Sequence, residues 1–185
     1  MGFFLFDFKD TRKQNTRALL SSLVVQLSNQ SDDLYDFLLC FYSDHHSGAQ
    51  QPSIGALTQC LEDMLGVPEI LPVYLIIDAL DECPNTTGMP SSRDEVLALV
   101  ERLVKLNLPN LRLCVTSRPE TDIQTSLEPL TSAPNSISLH DEGGQKKDIV
   151  DFVDSAVYSD KNMRRWQEED KQLVIKILSD RAHGM

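Results

Sequence analysis

The chain has 185 residues, 41% of them apolar and 24% charged, which is enough for one ordinary hydrophobic core or for one core and the start of another. Twenty-eight acidic against 17 basic residues give a formal net charge of −11, which excludes nucleic acid and anionic membrane as default partners and says nothing about fold. The four cysteines, Cys40, Cys60, Cys83 and Cys114, form no C-x-x-C pair, so reduced, buried thiols of a cytoplasmic protein are expected in place of a zinc ribbon or a disulfide framework.

Met1 to Asp7 lacks a basic leader, its apolar run is too short for a signal peptide, and no later run reaches the length of a membrane span. Phe3 to Phe8 reads as a strand, and so abrupt an opening in a core strand leads us to expect further sequence before residue 1. Asp10-Thr11 offers a cap for a helix whose Leu19, Leu23 and Leu27 recur at helical spacing beside Leu20 and Val24. Asp32 to Tyr42 predicts a shorter helix, and Ser43 to Ser53 a polar surface loop. A further helix runs from about Ser53 to Leu65, with Leu57, Leu61 and Leu65 as its buried stripe, closed by Gly66 and Pro68.

Val73-Tyr74-Leu75-Ile76-Ile77 is apolar without polar alternation and predicts a strand buried on both faces. Asp78, Asp81 and Glu82 follow it. Past a turn-rich loop, Ser92-Arg93-Asp94-Glu95 has capping-box spacing and opens a helix with Val96, Val100, Leu103 and Val104 on one side. Leu111 to Val115 predicts another strand and Ser136 to Leu139 a short one. Strand and helix alternate, which predicts parallel pairing and an α/β layer fold. From Gln145 strands cease: Ile149, Phe152, Val153 and Val157 mark one helix, and Trp166, Leu173, Val174, Ile177 and Leu178 another. The organisation expected is an α/β domain over 1–140 and the start of a helical subdomain over 145–185.

In an open parallel sheet ligands bind beyond the carboxyl ends of the strands, which puts Asp78 at the mouth of a crevice. An aspartate there can orient Mg²⁺, a cation that demands oxygen ligands, while Asp81 or Glu82 orients or deprotonates an attacking water. The competing reading is that these acids only cap a solvated loop. Leu111 to Val115 delivers Thr116, Ser117 and Arg118 to the same edge, where Arg118 either senses a terminal phosphate or pairs with Asp78, Asp81 or Glu82 to hold the loops together. Lesser signals take plainer readings: Asp44-His45-His46 a solvated loop, Asn29-Gln30-Ser31 and Asn85-Thr86-Thr87 unmodified asparagines, Trp166 a core residue, and His140-Asp141-Glu142 too few ligands for a metal.

Tyr74-Leu75-Ile76-Ile77-Asp78-Ala79-Leu80-Asp81-Glu82-Cys83-Pro84, followed by Leu113-Cys114-Val115-Thr116-Ser117-Arg118-Pro119-Glu120, resembles the Walker B (73–82) and sensor 1 (111–118) segments of NACHT domains. The type it resembles is the nephrocystin-like NACHT of fungal NOD-like receptor proteins. Phe3 to Phe8, Leu19 to Leu27 and Asp148 to Val153 match the same pattern, so the resemblance covers nearly the whole chain. It implies a P-loop NTPase-like parallel sheet with flanking helices, in a STAND-class signal-transduction module of innate-immunity type. Such a module switches between ADP-bound closed and ATP-bound oligomeric states, self-associating through neighbouring NACHT domains. By that match Asp78 serves Mg²⁺, Asp81 and Glu82 serve hydrolysis, and Thr116, Ser117 and Arg118 contact the nucleotide phosphates.

One element of the pattern is absent, for the 185 residues contain no G-x-x-x-x-G-K-[ST]. Gly143-Gly144-Gln145-Lys146-Lys147-Asp148 lacks both the spacing and the hydroxyl. In the family the P-loop precedes the strand matching Phe3 to Phe8 and its strand is central to the sheet, so a fragment is expected, with weak nucleotide binding and marginal stability. Three functions follow: an ATP- or ADP-dependent regulatory NTPase, a non-catalytic interaction or assembly module, or a Mg²⁺-dependent phosphohydrolase.

Overall fold

Three short apolar segments, each stopped by a turn-forming or charged residue, build the sheet. Gly2–Leu5 (β1), Val73–Asp78 (β2) and Leu111–Val115 (β3) pair in parallel in the order β1-β2-β3. Leu75 lies opposite Gly2 and Leu113, and Ile77 opposite Phe4 and Val115. This computed structural model describes residues 1–67, 72–85, 90–138 and 143–181, and the chain divides into two units, Met1–Thr131 and Ser132–Met185. The first unit is α/β with a parallel sheet, as its alternation predicts, and is consistent with the P-loop NTPase-like fold that the resemblance implies.

β1 ends at Leu5, earlier than the Phe3 to Phe8 strand expected. Phe6 still donates its N–H to Asp78 O at 3.1 Å, but Asp7 then turns the chain, its side chain accepting from Lys9 N at 2.8 Å and its carbonyl from Asp10 N at 3.1 Å. The outer edge of β1 is closed by a side chain. Gln26 accepts from Phe3 N at 3.0 Å and donates to Phe3 O at 2.7 Å, so one amide serves both groups that a further strand would pair.

Among the described residues of the first unit five α-helices accompany the sheet: Thr16–Ser28 (α1), Asp32–Asp44 (α2), Ile54–Leu65 (α3), Ser92–Lys105 (α4) and Thr121–Leu127 (α5). Asp10 caps only a 3-10 turn at Thr11–Lys13; α1 starts later, with Asn15 accepting from Ala18 N. Ser31 and Ser53 cap α2 and α3 in the same way. The capping box of α4 lies one residue before the expected position. Ser91 is the N-cap and Asp94 returns the bond, which frees Glu95 to accept from Thr16 Oγ1 at 2.9 Å.

Leu19, Leu20, Leu23 and Leu27 of α1, Leu61 and Leu65 of α3, and Val96, Val100 and Leu103 of α4 bury against Phe4, Val73, Leu75 and Ile77 in one core. Each such side chain contributes about 1.5–3 kcal/mol on burial. Val104 is exposed, contrary to the pattern reading. The larger correction concerns β2, for Tyr74 is 53% exposed and its open-face neighbours Phe3 and Leu5 are 58% and 44% exposed. Strand side chains alternate, and within the first unit the core seals only one of the two faces. The thiols divide as well: Cys60 and Cys83 are buried, but Cys40 and Cys114 are exposed.

The second unit contains Gly143–Ser159 (α6) and Glu168–Arg181 (α7), which pack together with Val157 and Ile175 buried. Tyr158 links them: its hydroxyl bonds Glu168 and accepts from Gln172 Nε2 at 3.0 Å, and Lys171 Nζ sits 5.2 Å from its ring centroid. Phe152, Leu173, Ile177 and Leu178 are exposed, so the apolar spacing overstates this core. Trp166 precedes α7 and is itself exposed, which corrects its reading as a core residue. Ser136 to Ile137 and Ser138 form no strand; Leu139, like Pro68, Thr86 and Thr87, Gly88 and His140 to Glu142, lies outside the described residues. Among the described residues no helix is long and apolar enough to cross a membrane.

Candidate functional site

Parallel pairing sends all three strands in one direction, so the chain leaves each at the same edge of the sheet. Asp78 ends β2 in register with Leu5, and its side chain continues the open-face row of Tyr74 and Ile76. Ala79 then takes a left-handed conformation, φ 55° and ψ 48°, which costs a residue with a Cβ about 1–2 kcal/mol. That turn folds Leu80–Glu82 into a 3-10 turn pinned by the fully buried Leu80. Asp81 and Glu82 are thereby brought back over the ends of the neighbouring strands.

The loop after β3 is stitched onto this turn. Thr116 N donates to Ile77 O at 2.9 Å and Leu80 N to Thr116 O at 3.0 Å. The Thr116 hydroxyl donates to Asp78 Oδ1, which also accepts from Ala79 N at 3.1 Å. Arg118 donates its backbone N–H to Asp81 Oδ1 at 3.0 Å, and its Nε lies 3.4 Å from Asp81 Oδ2. Glu82 Oε2 accepts from Phe8 N at 3.0 Å, tying in the loop after β1. Ser117 turns its hydroxyl to Arg118 O at 2.6 Å. A cavity of about 550 Å³ opens here, lined by Phe8, Asp81, Glu82, Asn85, Arg118 and Glu120 among others.

Asp78, Asp81, Glu82, Thr116, Ser117 and Arg118 therefore meet at one edge, as the spacing predicts. The ion pair open at the sequence level is Arg118 with Asp81. Its two members differ: the Asp81 side chain is 9% exposed and that of Arg118 81%. A pair with so exposed a cation contributes about 0–1 kcal/mol, less than the about 1.5–3 kcal/mol of a hydrogen bond to a charged group. The Arg118 guanidinium is thus held to Asp81 only weakly.

A residue that the pattern reading passed over completes the site. Arg93, in the first turn of α4, has a side chain only 6% exposed. Its Nε donates to Cys83 O at 2.9 Å and its Nη2 to Asp81 O at 2.6 Å, while Nη1 reaches Glu120 and, at 3.1 Å, Asp122 Oδ2. Burial pulls its pKa down, but the bonds to Glu120 and Asp122 outweigh that and hold it above the ordinary arginine value. One signal was available in the sequence: a cation in the first turn of a helix opposes the helix dipole and so calls for partners elsewhere. Burial likewise pushes the neighbouring Cys83 thiol up to about 11, so it stays protonated and inert.

Among the described residues no three His, Cys, Asp or Glu side chains are grouped to hold a metal. Asp78 still fits one kind of ion, because its Oδ2 accepts no hydrogen bond among the described residues and the Thr116 hydroxyl oxygen lies beside the same carboxylate. Mg²⁺ suits such a place, since it keeps several waters and is commonly bound through one or two carboxylates and the phosphates of a substrate.

The sequence profile described as Nephrocystin 3, N-terminal, matches residues 1–118, a span that includes Asp78, Asp81, Glu82, Arg93 and Arg118. The vegetative incompatibility protein HET-E-1 of Podospora anserina is 31% identical over 135 residues, covering 71% of this chain and 9% of that protein. This chain therefore spans less than a tenth of the length of the relative it matches. No solved structure matches it.

Proposed function

This chain belongs to the nephrocystin 3 N-terminal family, a NACHT-type region, and from that premise we propose that it carries the metal- and phosphate-sensing edge of a regulatory NTPase module. The observation that supports the reading most is the convergence of Asp78, Asp81 and Arg118, from two separate strands, on one bonded loop pair. Asp78 would hold Mg²⁺, which when bound neutralises and orients the phosphates of ATP or ADP. Arg118 turns its guanidinium from Asp81 to the terminal phosphate, while its backbone N–H keeps hold of the Asp81 carboxylate. Asp81, with one carboxylate oxygen so uncovered, or Glu82, fixed by the Phe8 amide, orients the attacking water.

The same exchange makes a switch. With the Arg118 guanidinium on Asp81 the two loops share an ion pair; with it on phosphate that pair is broken while the backbone bonds between the loops remain. In the wider module, working in the cytoplasm, this difference would favour or oppose self-association with neighbouring copies in a signalling pathway. Lacking a G-x-x-x-x-G-K-[ST], these 185 residues hold phosphates only through Arg118, Thr116 and the metal, so binding by this chain is weak.

Calorimetric or fluorescence titration with ATP, ADP and Mg²⁺, separately and together, tests the proposal. The expected result is Mg²⁺-dependent nucleotide binding with Kd on the order of 1 mM, weakened tenfold or more, roughly 1.4 kcal/mol, by Asp78→Asn. Silence toward all ligands would instead support a non-catalytic interaction module. Turnover of a simple phosphate ester without nucleotide preference would support a phosphohydrolase.

A further inference from the structure

We propose that Arg93 is a positioning residue that locks the Asp81 loop to the Arg118 loop, so that these two groups shift together and pass any shift on to α4 and α5. In assigning the loops to phosphate chemistry the proposal rests on the nucleotide reading; its mechanics do not.

The location of Arg93 is unfavourable by every general rule. It is the second residue of α4, where the helix dipole opposes a cation, and its side chain is buried, where a charge persists only if its donors are satisfied. What it gains is a set of acceptors from two different loops. The carbonyls of Asp81 and Cys83 belong to the segment leaving β2; the carboxylates of Glu120 and Asp122 belong to the segment leaving β3. A planar guanidinium with its fixed fork of donors can span that gap, whereas the point charge of lysine cannot address all four acceptors at once.

Asp81 is consequently held at both ends. Arg93 takes its backbone carbonyl, and the Arg118 N–H takes its carboxylate at 3.0 Å. The far side is equally tied: Asp122 also accepts from Asn85 Nδ2 at 2.8 Å, and Asn85 Oδ1 accepts from Ser91 Oγ, the cap of α4, at 3.1 Å. Arg93 N itself donates to Pro84 O at 3.2 Å. A movement of Arg118 away from Asp81 thus reaches the first turns of α4 and α5 through side chains that are already bonded.

Amide hydrogen exchange by NMR on the full 185-residue chain tests this without nucleotide. The Arg118 amide reports the clamped contact, and the Thr116 amide, bonded to Ile77 O, reports the adjoining strand end. Arg93→Lys is expected to speed Arg118 exchange about tenfold relative to Thr116 in the same sample. Equal acceleration of both amides, or of neither, overturns the proposal, because a merely stabilising arginine changes them in proportion. If Arg93→Lys does not fold, Glu120→Gln serves, with about a threefold change in the same ratio expected and an unchanged ratio counting against. A failed nucleotide titration leaves this result standing, and failure here leaves the nucleotide reading standing.

Discussion

On one face of the sheet Phe4, Val73, Leu75 and Ile77 are sealed under helices, whereas on the other Phe3, Leu5 and Tyr74 stand exposed in strands of similar composition. The difference teaches that an apolar strand does not say which of its faces carries stability. Neighbouring residues of one strand, Tyr74 and Leu75, belong to different physical regimes. The two faces also end differently, since the open row terminates in Asp78 and the sealed row leads into Leu80, which anchors the turn bearing Asp81 and Glu82.

Truncation of the sealed face should give the largest effect. Leu75→Ala or Ile77→Ala should cost about 3 kcal/mol by denaturant titration, and Tyr74→Ala less than about 1 kcal/mol. Comparable losses on the two faces would break the comparison. Thiol labelling extends it to rates. At pH 8 Cys114, exposed on the open face, and Cys40 should react first, while Cys60 and Cys83, both pushed up to about 11 by burial, should react at least about a hundredfold more slowly. Uniform labelling of all four would show that the sealed core opens readily.

Much of this was legible in the residues and some was not. β3 keeps its expected bounds because Pro109-Asn110 and the Thr116 to Pro119 turn punctuate it on both sides, and α3 starts where Ser53 can cap it. Phe6 and Phe8 look like strand residues, yet Asp7 captures the Lys9 amide and turns the chain, a local competition that hydrophobicity does not record. The open face is not visible in the sequence because Val73 to Ile77 shows no alternation of apolar and polar residues. Convergence of Asp78, Asp81 and Arg118 was readable, since parallel pairing dictates the shared edge; the choice of Asp81 as the partner of Arg118 depends on the Ala79 turn. Arg93 was not read because its four acceptors lie 10 to 29 positions away.

The α4 cap offers a smaller and pH-dependent check at the margin of the sealed face. Ser91→Ala should cost about 1 kcal/mol at neutral pH. Its backbone N–H donates to Asp94, which holds that carboxyl below the usual aspartate range, so the box contributes fully above that range and is lost as pH falls through the lowered value. The penalty of Ser91→Ala should therefore shrink below about pH 4. A penalty independent of pH would mean that Asp94 takes no part.

The measurement that bears most directly on the account is paramagnetic broadening by Mn²⁺, a stand-in for Mg²⁺, in the wild-type chain and in Asp78→Asn. The amides of Asp78, Ala79 and Thr116 are expected to broaden first in the wild type and to lose that selectivity in the variant. Broadening centred instead on other acidic turns, such as Asp32-Asp33 or Glu168 to Asp170, and indifferent to Asp78, would contradict a metal site at the carboxyl edge of β2.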